Sequence, residues 1–191
     1  SGFNYQPEFR RSAGPGCQDA HRQPADGGGQ RLRWTPCGGH DRMMPFTQHC
    51  GVVLPLLRDN IDTDAIIPSR EMRTVSRSGL AAGLFAPWRY LDPDVRTPNP
   101  EFPLNQTEYN GASILLAGDN FGCGSSREHA VWALMESGFR AVIAPSFATI
   151  FRNNALRNGL LTVALAQHDL DELVAWVSAD PAANAFQLDL K

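Results

Sequence analysis

Ser125, Ser126 and Arg127 form a short polar run, and these residue types can bind and activate an acidic small molecule. An arginine guanidinium donates two parallel hydrogen bonds to a carboxylate, and neighbouring hydroxyls can bond to the same ligand. Gly122 and Gly124 precede the run and allow the backbone to approach a ligand closely, because no Cβ intervenes. The run therefore predicts a site for a small anion.

Nucleotide binding is disfavoured for this glycine-rich segment. A Walker A loop requires a lysine before its Ser or Thr, and the dinucleotide fingerprint requires a third glycine at a fixed spacing. The segment 118–127 has neither feature. An ordinary turn between a strand and a well-capped helix, with no ligand, stays open as an alternative.

The pattern of apolar residues predicts the elements that position this run. Ala112–Ala117 has the length of a buried strand, and an amphipathic stretch follows Arg127. Ser125 and Glu128 have the spacing of a capping box, in which each side chain accepts from an N–H of the first helical turn. A helix that starts there would add its partial positive charge to that of Arg127.

Strands and helices alternate along the rest of the chain. Apolar runs predict strands at Arg140–Ala144 and Leu160–Ala164. Between them, Phe147–Asn158 predicts a helix that ends at Gly159. Upstream, Thr47–Leu57 contains a proline and predicts an edge strand or a short barrel strand. This alternation is typical of an α/β core with parallel strands.

A polar turn, Asn60–Asp64, follows the first strand. Asp62 and Asp64 flank Thr63, and such residues commonly cap turns by bonding to their own backbone. Two close carboxylates could also hold a cation, but no further ligand types lie nearby. The four cysteines show no CxxC pair, so the sequence predicts no metal site.

The composition is that of one globular domain. The chain has 191 residues, 42% of them hydrophobic, and a net charge of −3, so it lacks the basic excess of a nucleic-acid-binding protein. It has neither an apolar run long enough for a membrane span nor the pattern of a signal peptide. We therefore expect a cytoplasmic protein that binds neither nucleic acid nor membrane.

Four segments resemble one protein family in the same order. Asn120–Ala130 (NFGCGSSREHA) is similar to the signature of the swivelling domain of the aconitase superfamily, in particular the small subunits of 3-isopropylmalate dehydratase. His49–Pro68, Leu84–Leu91 and Phe139–Leu161 resemble the same family. Together the segments extend the resemblance over residues 45–191.

The resemblance implies both a fold and an activity. The fold is a swivelling β/β/α domain with a mixed sheet or a barrel-like core. The activity is that of a hydro-lyase of leucine biosynthesis, which interconverts 2-isopropylmalate and 3-isopropylmalate by dehydration and rehydration. This chain would bind a small hydroxy-dicarboxylic acid and no cofactor of its own, because the partner large subunit would carry a [4Fe–4S] cluster.

The resemblance also implies roles for individual residues. Ser125 is expected to be the general base, and Arg127 is expected to bind a substrate carboxylate. The other expected substrate-binding residues share this loop or the preceding polar turn: Asn120, Gly124, Ser126, Asp62, Thr63 and Asp64. The segment Ser69–Gly83 is expected to contribute to the pocket for the substrate's side group.

Two alternatives to this activity stay open. The chain could serve a related dehydratase acting on citramalate, dimethylmalate or homoaconitate, because Ser69–Gly83 alone does not decide between these substrates. It could also be a non-catalytic module that binds an anion at the helix start, although such a module would not need a reactive serine at position 125.

The two ends of the chain give separate expectations. Residues 1–44 are rich in Gly, Pro, Arg and Gln, which predicts a disordered or non-native extension. Read in the neighbouring frame with plausible codons, residues 1–42 can spell the carboxyl end of the large subunit, so an out-of-frame translation is one hypothesis. Family members usually extend beyond Lys191, so residues 45–191 are expected to form the swivelling domain without its C-terminal part.

Overall fold

The computed structural model describes residues 48–72, 78–179 and 185–189, and the backbone of two short parallel strands, β1 (Gln6–Phe9) and β2 (Arg31–Trp34). The other residues of the segment 1–44 lie outside the described part of the chain. The hypotheses about this segment therefore stay predictions.

A mixed five-stranded sheet forms the centre of the molecule. The further strands are β3 (Gln48–Leu56), β4 (Tyr90–Asp92), β5 (Thr97–Pro98), β6 (Ala112–Ala117), β7 (Ala141–Ala144), β8 (Leu161–Ala164) and β9 (Ala185–Asp189). The sheet has the order β8-β7-β6-β3-β9, in which only β9 is antiparallel to its neighbour. β4 and β5 pair separately.

Helices cover both faces of this sheet. The described α-helices are α1 (Thr63–Ile66), α2 (Ala86–Arg89), α3 (His129–Glu136), α4 (Thr149–Asn158) and α5 (Gln167–Ala179). Leu115 of β6 packs in one cluster with residues of α3 and α4, whereas Ile114 and Leu116 pack in another with Leu173 of α5. Successive strand residues point to opposite faces, so the sheet lies between two helical layers. The predicted α/β fold with a mixed sheet is confirmed.

β3 lies inside the sheet, between β6 and β9, so the edge strand is wrong as the explanation of its proline, and the other expectation, a short barrel strand, stays open. Pairing with β9 ends at Val52, whereas Pro55 pairs with β6 opposite Leu116.

Helix α3 begins later than the capping-box pattern predicted. Its first residue is His129, and Glu128 occupies the N-cap position without a side-chain capping bond. The Glu128 carboxylate instead accepts from Asn158 Nδ2 at 2.7 Å. The predicted capping box is therefore wrong, and Ser125 lies in the loop before the helix.

Glu136, the last residue of α3, anchors the end of the segment Ser69–Gly83. Its carboxylate accepts from the backbone N–H groups of Gly79, Leu80 and Ala81 at 2.6, 2.5 and 2.9 Å. These bonds lower the pKa of Glu136 from its ordinary value, and the bond from Gly79 has the largest effect. The anchor is therefore strongest when Glu136 is ionised.

Glu136→Gln is expected to lower the free energy of unfolding by about 1 kcal/mol near neutral pH, after allowance for solvent screening of this exposed carboxylate. Because the folded-state pKa is lowered, the stabilisation is present above the unfolded-state pKa of about 4.3 and is lost as the pH falls through the folded-state value. Urea unfolding should therefore show a difference from the wild type at about pH 7 that shrinks towards about pH 3.

The matched control for this prediction is Glu101→Gln, the same change at an exposed residue, which should leave the free energy of unfolding unchanged. A difference between Glu136→Gln and the wild type that persists at the lower pH would show that the ionised form is not the anchor.

Candidate active site

Three loops meet at the carboxyl ends of the parallel strands. In the loop after β6, Asp119 O accepts from Asn60 N, in the loop after β3, at 2.8 Å. Phe121 N in the same loop donates to Ser146 O, in the loop after β7, at 3.1 Å. Open α/β sheets bind ligands outside the carboxyl ends of their strands. The predicted anion site therefore lies at the edge of the sheet where a ligand is expected.

Thr63 joins the polar turn to the loop that carries Ser125. Its N–H donates to Cys123 O at 2.9 Å, and its Oγ1 donates to Ser125 O at 2.8 Å. Gly122 N donates to Ile61 O at 2.7 Å, so the turn and the loop are bonded at several points. Thr63 thus fixes the backbone from which the Ser125 hydroxyl projects.

A cleft of about 210 Å³ opens beside this loop. One wall comes from the loop and the other from the start of α4; the lining residues are Thr63, Gly122, Gly124, Ser125, Arg127, Ala148, Thr149, Ile150, Phe151 and Asn154. At Gly122, where φ is 76°, an added Cβ would lie 2.3 Å from Phe151 Cγ. The loop therefore requires glycine where it meets α4.

Hydrogen-bond donors concentrate on the loop side of this cleft. In the described part of the chain, the backbone N–H groups of residues 124–129 donate to no partner, and Gly124, Ser125 and Ser126 are exposed. Arg127 adds a full positive charge beside them. Unpaired N–H groups before a helix, together with a guanidinium, attract an anion.

The carboxylates of the polar turn have different partners. Asp62 Oδ1 accepts from Ala65 N at 2.6 Å and caps α1. Asp64 accepts from Arg127 Nη1, and Ser69 Oγ donates to Asp64 at 3.5 Å. Asp64 therefore holds one end of the Arg127 guanidinium at the cleft, while Asp62 supports the turn.

Asn120 lies at the base of the loop and does not line the cleft. Its φ is 55°, a left-handed conformation that asparagine adopts more readily than most residues. Its Nδ2 donates to Asn60 Oδ1 at 2.8 Å, and its N–H donates to Ser146 Oγ at 3.0 Å.

The structure thus divides the predicted site residues. At the cleft it places Thr63, Gly124, Ser125 and Arg127, and around it Asp62, Asp64, Asn120 and Ser126. The assignment of catalytic and substrate-binding roles to these residues stays a prediction.

Residues 48–72, 78–179 and 185–189 contain no group of three or more His, Cys, Asp or Glu side chains placed to hold a metal ion. Cys123 carries a free thiol, and an iron–sulfur cluster requires several thiolate ligands. These residues therefore do not fit such a cluster. Within the same ranges, no helix is long and apolar enough to cross a membrane.

Comparison with known proteins identifies the family. The aconitase C-terminal domain family matches residues 43–168. A 3-isopropylmalate dehydratase small subunit from Cupriavidus necator is 63% identical over 149 residues, which are 78% of this chain and 72% of that protein. The chain belongs to the aconitase C-terminal domain family, among the 3-isopropylmalate dehydratase small subunits. The family predicted from the sequence motifs is confirmed.

A solved structure supports the fold of this small subunit. The crystal structure of 3-isopropylmalate dehydratase from Methanocaldococcus jannaschii is 38% identical, with a TM-score of 0.50. The match covers 64% of this chain and 65% of the archaeal one, so the chain spans just under two thirds of that protein.

Sequence reasoning missed the α4 side of the cleft. Thr149, Ile150 and Asn154 lie at the start of α4, in a segment for which the sequence predicted only a helix. A signal was available, because the polar residues Thr149 and Asn154 follow the carboxyl end of a predicted parallel strand, where ligands bind in such sheets. Ile150, 52% exposed, adds an apolar rim to the cleft.

A second cleft, of about 520 Å³, adjoins the segment Ser69–Gly83. Its lining residues are Arg70, Glu71, Ser78, Gly79, Leu80, Pro93, Asp94 and Arg96. Glu71 accepts from Arg96 Nη2 at 2.7 Å, which fixes the start of the segment as Glu136 fixes its end. The expected contribution of this segment to the substrate pocket stays a prediction, since residues 73–77 lie outside the described part of the chain.

Proposed function

We propose that this small subunit, paired with an iron–sulfur large subunit, interconverts 2-isopropylmalate and 3-isopropylmalate by dehydration and rehydration. The observation that carries this proposal is the placement of Ser125 and Arg127 together at one cleft, beside backbone N–H groups that have no partner among the described residues. A reactive hydroxyl and a carboxylate receptor are the two groups that a dehydratase of dicarboxylic acids requires from this chain.

Arg127 is suited to bind a substrate carboxylate. A guanidinium presents five N–H donors in a fixed planar fork. Asp64 engages Nη1, and within the described chain the donors at Nε and Nη2 stay available. These two positions form the edge that binds a carboxylate through two parallel bonds. The contact with Asp64 therefore orients the guanidinium without occupying that edge.

Ser125 is suited to remove the proton from the substrate carbon. A serine hydroxyl is ordinarily too weak an acid to be deprotonated at neutral pH. The nearby N–H groups and the charge of Arg127 favour negative charge on its oxygen, and exclusion of water strengthens them. Thr63 Oγ1 donates a hydrogen bond to Ser125 O at 2.8 Å. This bond fixes the backbone that carries the Ser125 hydroxyl.

A partner would complete the site. The cleft, at about 210 Å³, is smaller than the roughly 300–1,000 Å³ of most ligand pockets. The described residues also contain no group of side chains placed to hold an iron–sulfur cluster, so we assign the [4Fe–4S] cluster to the large subunit. Bound there, the cluster would supply a Lewis acid for the departing hydroxyl.

Because the cluster is assigned to the large subunit, we predict that the small subunit purified alone is colourless. Anaerobic co-purification with the large subunit should yield a brown complex with iron–sulfur absorption, because the cluster ligands lie in the partner. An iron–sulfur absorption band in the isolated small subunit, after reconstitution with iron and sulfide, would contradict the assignment.

The function is tested by co-expressing the chain with its large subunit and assaying the complex anaerobically. Turnover of isopropylmalate supports the proposal. Turnover of citramalate, dimethylmalate or homoaconitate instead would support the proposed dehydratase reaction but show that the substrate is a different acid. Binding of isopropylmalate without turnover of any of these acids would indicate a non-catalytic anion-binding module.

A further inference from the structure

Asn158, the last residue of α4, links α4 to α3 beside the cleft, and we call this set of contacts the bridge. Its Nδ2 donates to Glu128 Oε1 at 2.7 Å and to Asn154 O at 2.8 Å. Its Oδ1 accepts from Trp132 Nε1 at 3.0 Å. The bridge thus joins α4, which forms one wall, to the start of α3, which follows the other wall.

The chemistry of the partners fixes the orientation of this carboxamide. The ionised Glu128 carboxylate only accepts hydrogen bonds, and the Trp132 indole N–H only donates. Asn158 meets both at once, with its nitrogen towards Glu128 and its oxygen towards Trp132. Neither a leucine nor an aspartate at this position could make both contacts.

The backbone at the end of α4, which carries Asn158, is fixed by its own turn. Gly159 ends α4 in a left-handed conformation, with φ of 80°. Leu160 N then donates to Ala155 O at 3.0 Å, which closes the last turn of the helix. Asn158 therefore projects from a helix end whose backbone has little freedom.

The other end of the bridge adjoins the proposed substrate-binding group. Glu128 follows Arg127 directly, and Asn154, one turn before Asn158, lines the opposite wall. A shift of Glu128 would carry Arg127 with it. Misplacement of a reacting group by about 1 Å can cost about 10²-fold in rate.

We infer that Asn158 is a positioning residue that fixes Arg127 and Ser125 relative to the α4 wall of the cleft. The inference rests on the proposed function, because it assigns these two residues to substrate binding and proton removal. Asn158 acts through Glu128 and does not touch the substrate.

A polarity swap tests this role in the co-expressed complex. Asn158→Asp removes the donor and places a second carboxylate against Glu128, so kcat/KM for isopropylmalate is expected to fall about 10- to 100-fold. Glu128→Gln keeps an acceptor and should cost about threefold or less. In the double variant the new amide at position 128 can donate to the new carboxylate at position 158. Its kcat/KM should therefore recover to about the level of Glu128→Gln.

Asn153→Asp supplies the matched control, since it makes the same change on an exposed position of α4 and should leave kcat/KM unchanged. Thermal unfolding is measured for every variant. A merely structural role would lower the melting temperature of Asn158→Asp while leaving kcat/KM of the folded complex at the wild-type value. That result, or failure of the double variant to recover, would overturn the inference.

The bridge can also be tested apart from turnover. In a ¹H–¹⁵N spectrum, the Trp132 indole N–H, assigned through Trp132→Phe, should shift in Asn158→Ala because its acceptor is removed. An unshifted resonance overturns the bridge. Absence of turnover in the wild-type complex, with the indole shift present, would reject the proposed function and leave the bridge standing.

Discussion

Ser125→Ala in the co-expressed complex is expected to lower kcat by about 10²- to 10⁴-fold, the usual contribution of a positioned acid–base group. Alanine removes the hydroxyl that is proposed to take the substrate proton. It leaves the loop backbone in place, because Thr63 bonds to the carbonyl of residue 125 and not to its side chain. KM should change little, since the carboxylate-binding edge of Arg127 is untouched.

The control for Ser125→Ala is Ser178→Ala, at an exposed position of α5 outside the cleft, which should retain wild-type kcat. A near-normal kcat in Ser125→Ala would place the base elsewhere. His129 is the nearest alternative in sequence, but its ring packs edge-on against Trp132, 4.8 Å between centroids, and it does not line the cleft. His129→Gln should therefore preserve the rate if Ser125 is the base.

The layers of the fold could be predicted from the sequence because their signals are local. Continuous apolar runs predicted β6 and β7, and Gly159 predicted the end of α4. The structure confirms all three predictions. Such runs report burial on both faces of a parallel sheet. The place of β3 could not be predicted, because it depends on pairing with β9, at the far end of the chain.

The arrangement of the site could be predicted only where one segment carries it. Ser125 and Arg127 share a loop, so the motif sufficed to place them together. The sequence predicted that Glu128 forms a capping box with Ser125, which lies three residues before it. Its partner is Asn158, 30 residues away, and the two meet only when α3 and α4 pack on the same face of the sheet.

The same limit applies to Asp64. The sequence predicted that Asp62 and Asp64 could cap the turn, and Asp62 does cap α1, but Asp64 bonds to Arg127, 63 residues later in the chain. Sequence spacing describes one segment at a time. The contact that orients the guanidinium arises from the bonding of the polar turn to the loop after β6.

Arg127→Lys is expected to raise KM for isopropylmalate by about 10²-fold, because lysine keeps the charge and loses the planar fork. A guanidinium can bond to Asp64 through Nη1 and to a substrate carboxylate through its other edge at the same time. An ammonium is a single point charge, and Asp64 would compete with the substrate for it. The kcat at saturating substrate should fall less than kcat/KM.

Two further variants complete this test. Arg152→Lys, the same change at an exposed position of α4, should leave KM unchanged. Combining Arg127→Lys with Asp64→Asn removes the competing charge, so KM should fall part of the way back towards the wild-type value. If Arg127→Lys instead lowered kcat and left KM unchanged, Arg127 would act on the transition state and not as a carboxylate receptor. The anion bound by the loop would then have to be held by the N–H groups of residues 124–129 alone.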